Sequence, residues 1–368
     1  MNTIYSLSKS EYYAPFPLLR LNDDWKVVDI NLAAQVLFKP ILHNGFNESI
    51  NQLVAGFQPH ALGTSASSNY ANLNRDELKD AVTDTVNGTI DSKEYGKVNF
   101  KLTIISLPSL NLENSLERIA YAEINTIELD ETFQDNFQRA LQHQLIWESY
   151  AVSYDFVLNE QDYYREVLNR HIIALSENGI NRVIDIGAGT GNVTIPLLEA
   201  GRSVTAIDNS RAMLDKMHYK LSAMHNPEIK ILLQSAEDLS EYPDNFFDGV
   251  NILLALFDMV DPATALNAAI RVLRFGGVII ITEPKKTFDL SSLLYQAKKF
   301  LEEKGLYDKL SSHWACVTRA NKKIDPSKKS SLFIEDIEER LLIAGFEVIQ
   351  MKDSHFGNCA TLWAIKSG

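Results

Sequence analysis

The sequence predicts two domains of different class, a smaller α+β domain followed by an α/β domain built on a mostly parallel sheet. Three observations predict it. From Asn181 onward, apolar strand-length runs alternate with helix-length segments, the pattern of strand–helix–strand units. The run Val183-Ile184-Asp185-Ile186-Gly187-Ala188-Gly189-Thr190-Gly191-Asn192 delivers a strand into a glycine-rich loop, and helix-forming sequence follows from Val193 to Ala200. Before residue 130, alternating runs separated by turn residues read as antiparallel strands around a helical middle. A length of 368 residues suits two domains.

Elements of the first half follow in order. Leu18-Leu19-Arg20-Leu21 meets the turn Asn22-Asp23-Asp24, and Trp25 to Ile30 alternates like a hairpin partner. Asn31 is placed to cap a short apolar helix, Leu32 to Phe38. A Ser- and Asn-rich stretch, Gly63 to Asn74, reads as a loop. Arg75 to Asn87 carries helical spacing (Leu78, Ala81, Val82, Val86) and ends at Gly88, a natural residue just past a helix end. Two longer alternating runs, Lys97 to Leu107 and Ile119 to Leu129, complete the domain. This order resembles the PAS sensor fold, on Leu19 to Phe38, the segment ending Asn87-Gly88 and the last two strands. The resemblance covers roughly residues 15–130 and implies a domain, 1–130, that sets homodimerisation or builds part of an acceptor pocket. Both cysteines, Cys316 and Cys359, lie in the other half, which excludes a cysteinyl-adduct flavin sensor. His43 and His60 are candidate haem ligands, and surface histidines in loops explain both more simply.

Residues 131–175 read as helix, with Phe133, Phe137, Leu141, Leu145 and Ile146 on one face. From 176 to 368 the strands alternate with helices. Seventeen residues past Gly191, the run Ser203 to Ile207 stops at Asp208, an acid at the tip of the second strand, where a ribose places its hydroxyls. The dinucleotide fingerprint Gly-x-Gly-x-x-Gly does not fit: the third glycine comes one residue early, and Asp185 stands two residues before the first. A carboxylate there repels a pyrophosphate and suits a ligand bearing an ammonium group.

The run resembles the Asp-x-Gly-x-Gly-x-Gly signature of class I S-adenosylmethionine-dependent methyltransferases. Further segments carry the resemblance: Gln234-Ser235-Ala236-Glu237-Asp238-Leu239, Asn245 to Leu256, Arg271-Val272-Leu273-Arg274-Phe275-Gly276-Gly277, and Val278 to Pro284. It covers about residues 145–368 and implies a Rossmann-like sheet of seven strands with the last one antiparallel. It also implies S-adenosyl-L-methionine as cofactor. Gly187, Ala188, Gly189 and Gly191 are then the methionine-binding turn, and Asp185 is an acid felt by the cofactor ammonium. Asp208 takes the ribose diol, with Asn209 beside it. Ser235, Ala236 and Glu237 border the adenine, and Leu253 faces the sulfonium. Ser235 stands where a carboxylate is common, which leaves the exocyclic amine to Glu237 or Asp238. Tyr154 in Tyr154-Asp155 corresponds to an aromatic covering the methionine end, or else to a core aromatic at helical spacing.

The acceptor side is less legible. The stretch 285–331 is longer than a connection needs and holds an amphipathic helix (Leu290, Leu293, Leu294, Ala297, Phe300, Leu301), so it reads as a lid. His313 is a candidate general base, since imidazole titrates near neutral pH, or a half-exposed helix residue. Glu283, at a strand end, either orients the acceptor or caps a turn. His355 lies in the hairpin expected between the last two strands. A metal-dependent O-methyltransferase needs a carboxylate ligand at the end of the fourth strand, where Leu253 stands, so no metal is expected. An Asn-Pro-Pro-Tyr motif is absent, which counts against methylation of planar amides.

Composition narrows the partners. A net charge of −13 argues against a nucleic-acid surface, because phosphate contacts need clustered Lys and Arg. Two cysteines are too few for a disulfide framework and fit a reducing cytoplasm. The first residues lack the basic-then-apolar pattern of a secretory signal. The apolar stretch near Ile252 to Val260 contains Asp258 and is too short to span a bilayer. The sequence expectation is a cytoplasmic enzyme methylating oxygen or nitrogen of a small organic acceptor. Two alternatives stay open: a ligand-responsive regulator that binds the cofactor without turnover, and a protein methyltransferase.

Overall fold

The structure is a computed structural model that describes residues 17–21, 27–38, 82–92, 96–108, 116–124, 143 and 145–368, except 178, 226 and 329–331. His43, His60, the loop 63–74, residues 75–81 and the helical reading of 131–142 lie outside the described residues. The chain divides into two compact units, Met1–Gln144 and Leu145–Gly368.

The first unit holds a five-stranded antiparallel sheet of β1 (Leu18–Leu21), β2 (Val27–Ile30), β3 (Val82–Ser92), β4 (Gly96–Pro108) and β5 (Leu116–Ile124), in the order β2-β1-β5-β4-β3. Helix α1 (Leu32–Phe38) leaves β2 directly. Its cap is the expected Asn31, whose Oδ1 accepts from Ala34 N (2.9 Å) and also from Leu18 N on β1 (2.8 Å). One buried amide thus starts the helix and ties it to the sheet. Phe38 at the helix end meets Phe100 of β4 edge to face, with ring centres 5.3 Å apart.

One expectation here is corrected. The segment read as the end of a helix, Val82 to Asn87, is strand, and β3 runs on through Gly88 to Ser92, paired with β4 along its length. Val82, Val86 and Ile90 are four apart, a spacing that satisfies the helical period and the strand period alike. Val, Thr and Ile dominate between them, and their branched Cβ atoms favour the strand.

The second unit opens with a helical segment at residues 145–151, then α2 (Tyr154–Leu158) and α3 (Asp162–Leu175). The helical stretch expected here is interrupted at 152–153 and again at 159–161. Strands β6 (Arg182–Ile186), β7 (Ser203–Asp208), β8 (Ile229–Leu233), β9 (Phe247–Leu253), β10 (Leu273–Pro284), β11 (Phe346–Ser354) and β12 (Cys359–Lys366) form one sheet in the order β11-β12-β10-β9-β6-β7-β8. Its links are parallel except those of β12, which runs against both neighbours, as expected for the last of seven strands.

Helices cover both faces. On one, α6 (Pro262–Val272) and α9 (Ile334–Ile343) close a core around Ile184, Ile252 and Ile281. On the other, α3, α4 (Thr194–Glu199) and α5 (Arg211–Leu221) pack on Val183, Val204 and Ile280. A third apolar cluster lies beyond the carboxyl ends of the strands. There α7 (Leu290–Glu303) and α8 (Tyr307–Lys323), both inside the expected lid stretch, join residues 145–158 around Tyr150, Phe257, Leu301 and Trp314. Asp261 caps α6 through Thr264 N (3.0 Å) with Pro262 following, as the sequence implies. Among the described residues, no helix is long and apolar enough to cross a membrane.

Asn31→Ala is expected to lower the unfolding free energy of the first unit by about 1–2 kcal/mol, the scale of losing a side-chain cap. Urea unfolding of the full chain, followed by a probe in that unit, measures it; an unchanged midpoint would remove Asn31 from the joint.

Candidate functional site

The loop leaving β6 is the centre of the site. Gly187 turns the chain at φ +71°, and its N–H and that of Ala188 both donate to the Ile207 carbonyl on β7 (2.8 and 3.0 Å). A Cβ on Gly187 would stand 2.4 Å from the Cβ of Ala255, just past β9, so both the dihedral and the space demand glycine. Gly189 (φ +55°) has open room, and its requirement is the dihedral alone. Gly189 N–H donates to Asp208 Oδ2 (2.8 Å), and Ser210 N–H to Asp208 Oδ1 (2.7 Å). The half-buried Asp208 therefore bridges the loop and the start of α5, with the Asn209 N–H also donating to it. Burial pushes its pKa up to about 6 against these donors, and the nearby Asp185 adds to the rise.

Asp185, the acid at the end of β6, is tied into the sheet. It is buried, Thr194 Oγ1–H donates to its Oδ2 (2.5 Å), and Asn251 Nδ2–H donates to its Oδ1 (2.7 Å). Each oxygen thus takes one donor from the protein, and the carboxylate holds the start of α4 to β9. Burial raises its pKa.

A polar clamp that sequence reasoning missed closes the other side of the loop. Asp155 Oδ1 accepts from Thr190 Oγ1 (2.7 Å) and Asn192 Nδ2 (3.0 Å), and Lys220 Nζ of α5 lies 2.8 Å from its Oδ2. Lys220 also donates to Thr190 Oγ1 (3.1 Å) and Asn192 Oδ1 (2.9 Å). The signal was the polar residues alternating with the glycines, since a loop gripped only by backbone has no use for them. Beside the clamp, Tyr154 shares a hydroxyl–hydroxyl bond with Tyr164 (3.2 Å) and meets Tyr150 edge to face at 5.1 Å.

Past β8, Gln234 N–H donates to the Asp208 carbonyl (3.1 Å), which brings Ser235 and buried Ala236 alongside the end of β7. Glu237 Oε1 accepts from Asp261 N (3.0 Å), and Asp238 Oδ1 from Ser240 N (2.9 Å). Each of the two acids expected to share an adenine amine thus spends an oxygen on a turn. Leu253 is half-buried at the end of β9, and Leu254 follows in a left-handed conformation (φ +51°), its N–H donating to Thr282 O (2.8 Å).

For two candidate catalytic residues the structure matches the plainer of the two readings left open, a turn cap for Glu283 and a half-exposed helix residue for His313. Glu283 is fully buried; its Oε1 accepts from Ala255 N and Leu256 N (2.8 Å each) and its Oε2 from Phe257 N (3.2 Å). It caps the turn after β9, and burial, reinforced by Asp258, pushes its pKa up to about 8. His313 on α8 stacks on Phe156 (4.4 Å) and bonds through Nδ1 to the Ser153 hydroxyl (3.1 Å). Helical periodicity turns that face of α8 toward α2, and among the described residues no hydrogen bond joins His313 to the glycine loop or to Asp208. His355 does lie in the β11–β12 hairpin, buried against Tyr163 (4.9 Å). Among the described residues, no group of three His, Cys, Asp or Glu side chains could hold a metal ion.

Residues 184–281 match the family profile described as a methyltransferase domain. The chain is 32% identical over 142 residues to the demethylmenaquinone methyltransferase of Paenarthrobacter aurescens, covering 36% of this chain and 54% of that protein. It is 32% identical over 125 residues to the ubiquinone/menaquinone biosynthesis C-methyltransferase of Vibrio vulnificus, covering 32% and 47%. These matches span about half the length of the curated relatives. Among solved structures, the magnesium protoporphyrin IX methyltransferase of Synechocystis with bound SAH is similar at 18% identity and a TM-score of 0.40, over 56% of this chain and 84% of that one.

Glu283→Gln removes a buried ionisation and keeps an acceptor for two of the three N–H groups. The folded-state pKa of Glu283, about 8, lies above the ordinary 4.5, so its contribution to stability is complete below pH 4.5 and is lost as pH rises through 8. The melting temperature of the wild type relative to Glu283→Gln is expected to fall between pH 5 and 8. A constant difference across that range would show that the carboxyl keeps one charge state there.

Proposed function

We propose that this chain is an S-adenosylmethionine-dependent methyltransferase acting on a small organic acceptor in a biosynthetic route. The observation that carries the reading is the Asp208 carboxylate bonded to Gly189 N–H across the glycine loop, inside the segment that matches a methyltransferase domain. Main chain at one end and a diol-seeking acid at the other suit a nucleoside without phosphates. Each oxygen of Asp208 keeps acceptor capacity beyond its backbone donors, since a carboxylate offers about four lone-pair sites.

In the transfer, an acceptor lone pair forms the new bond to the methyl carbon as the S–C bond breaks. The sulfur leaves as a neutral thioether, and the acceptor releases any surplus proton. Orientation supplies most of what such a step needs, on the order of 7–11 kcal/mol at best. In this reading the loop, Asp208 and the segment 235–237 hold the cofactor, Leu253 lies at its sulfur, and Tyr154 covers its methionine end. The sequence expectation of oxygen or nitrogen as acceptor is widened to carbon, because relatives matching this domain are named for C-methylation. The apolar cluster of Tyr150, Phe257, Leu301 and Trp314 beyond the strand ends suits an apolar acceptor under a lid. For the first unit, the sheet order β2-β1-β5-β4-β3 supports the PAS-like reading, and homodimerisation or a part in the acceptor pocket stays a proposal for it.

Purified protein incubated with methyl-labelled cofactor and a metabolite extract is expected to pass label to a small molecule. Binding without transfer would favour the regulator, and label on macromolecules a protein methyltransferase.

Asp208 sets a pH signature for binding. Its pKa of about 6 in the free protein means that affinity for S-adenosylhomocysteine strengthens as pH rises from 5 to 7 and the anion forms. Calorimetry is expected to show that rise in the wild type and a flatter profile in Asp208→Asn, with affinity weaker by about 1–3 kcal/mol at pH 7. Identical profiles in the two proteins would remove Asp208 from the ribose position.

A further inference from the structure

A buried polar chain crosses the sheet behind the site. On β12, Thr361 Oγ1 lies 2.7 Å from Thr282 Oγ1 on β10. Thr282 Oγ1 lies 2.7 Å from His171 Nε2 on α3, and His171 Nδ1 lies 2.5 Å from Asn251 Oδ1 on β9. Asn251 Nδ2 then donates to Asp185 Oδ1 on β6 (2.7 Å), and Thr194 donates to Asp185 Oδ2 (2.5 Å). Each member of this chain is under a tenth exposed. A threonine, a histidine and an asparagine inside strands and a helix that are otherwise apolar incur the cost of burying polar groups, which only full pairing offsets.

The donors and acceptors of the chain admit one consistent order. A carboxylate accepts only, so Asn251 turns its NH₂ toward Asp185 and its carbonyl toward the imidazole. His171 must then carry its proton on Nδ1. Its Nε2 is left as an acceptor for the Thr282 hydroxyl, which takes the proton of Thr361 in turn. The imidazole is neutral: burial, with Arg170 nearby, brings its pKa down to about 4. If His171 stopped donating, the buried Asn251 carbonyl would lose its partner, and the amide would be held on one side only, by Asp185.

We infer that His171 is a positioning residue for cofactor binding, acting through Asn251 to orient Asp185 and so the start of α4 and the glycine loop in front of it. This rests on the proposed cofactor site. It goes beyond it by assigning a role to a histidine of α3 that is linked to the start of α4 only through Asn251 and Asp185.

The test combines a spectrum with affinities. Nitrogen-15 long-range correlation spectra of the full chain are expected to show His171 protonated at Nδ1 and bare at Nε2 from pH 6 to 8. The opposite tautomer, or an imidazolium, would overturn the ordering. His171→Asn places an amide donor near the Nδ1 position, and His171→Leu removes the donor. By calorimetry with S-adenosylhomocysteine, His171→Asn is expected to bind within about 3-fold of wild type and His171→Leu about 10-fold more weakly, both measured well below their melting temperatures. Equal affinity of the two variants and the wild type would sink the positioning role. Should the wild type itself not bind, the cofactor reading fails, while the tautomer still reports on the chain of bonds.

Discussion

The second unit depends on how little room there is where β6 and β9 end side by side. With a Cβ at residue 187 only 2.4 Å from that of Ala255, the two chains can turn away from the sheet only if one of them carries hydrogen there. The turn this permits aims two successive N–H groups at the Ile207 carbonyl and a third at Asp208. Loop, neighbouring strand and acid are therefore set by one close approach, and helix α4 begins where that geometry leaves it.

Electrostatics at this edge of the sheet follows a common rule. Asp155, Asp185, Asp208 and Glu283 gather near the strand ends, and water is largely excluded from Asp185 and Glu283. Their donors come from three kinds of source: a lysine and two side chains for Asp155, a hydroxyl and an amide for Asp185, and backbone N–H groups for both Asp208 and Glu283. Neutral donors stabilise an anion less than a cation does. Accordingly the pKa values of Asp185, Asp208 and Glu283 stand raised, and among the described residues Lys220 is the cation that pairs with this group, at Asp155.

Much of the sheet was legible because strand-length apolar runs, the glycine loop and the Asp261-Pro262 cap are local signals. The chemistry of the acids was less so. Position at a strand end told that Asp185 and Glu283 face the site's edge, but a period of two cannot tell whether a carboxyl turns to ligand or to a neighbouring turn. Asn251 carried a readable sign, a polar residue in the apolar strand Val250 to Leu253, yet its partners His171 and Asp185 are distant in sequence and only the sheet order unites them. In the first unit, Val82, Val86 and Ile90 fitted two periods at once, and pairing with β4 decided between them.

Leu254 holds a backbone conformation that costs a branched-chain residue of order 1 kcal/mol or more. Leu254→Gly would relieve that cost at once, but it would also take away a side chain that packs into the cluster with Tyr150, Phe257 and Trp314. Durability and shape thus pull against each other at a single codon. The strain is kept because the same residue supplies contacts that hold the cluster beyond the strand ends.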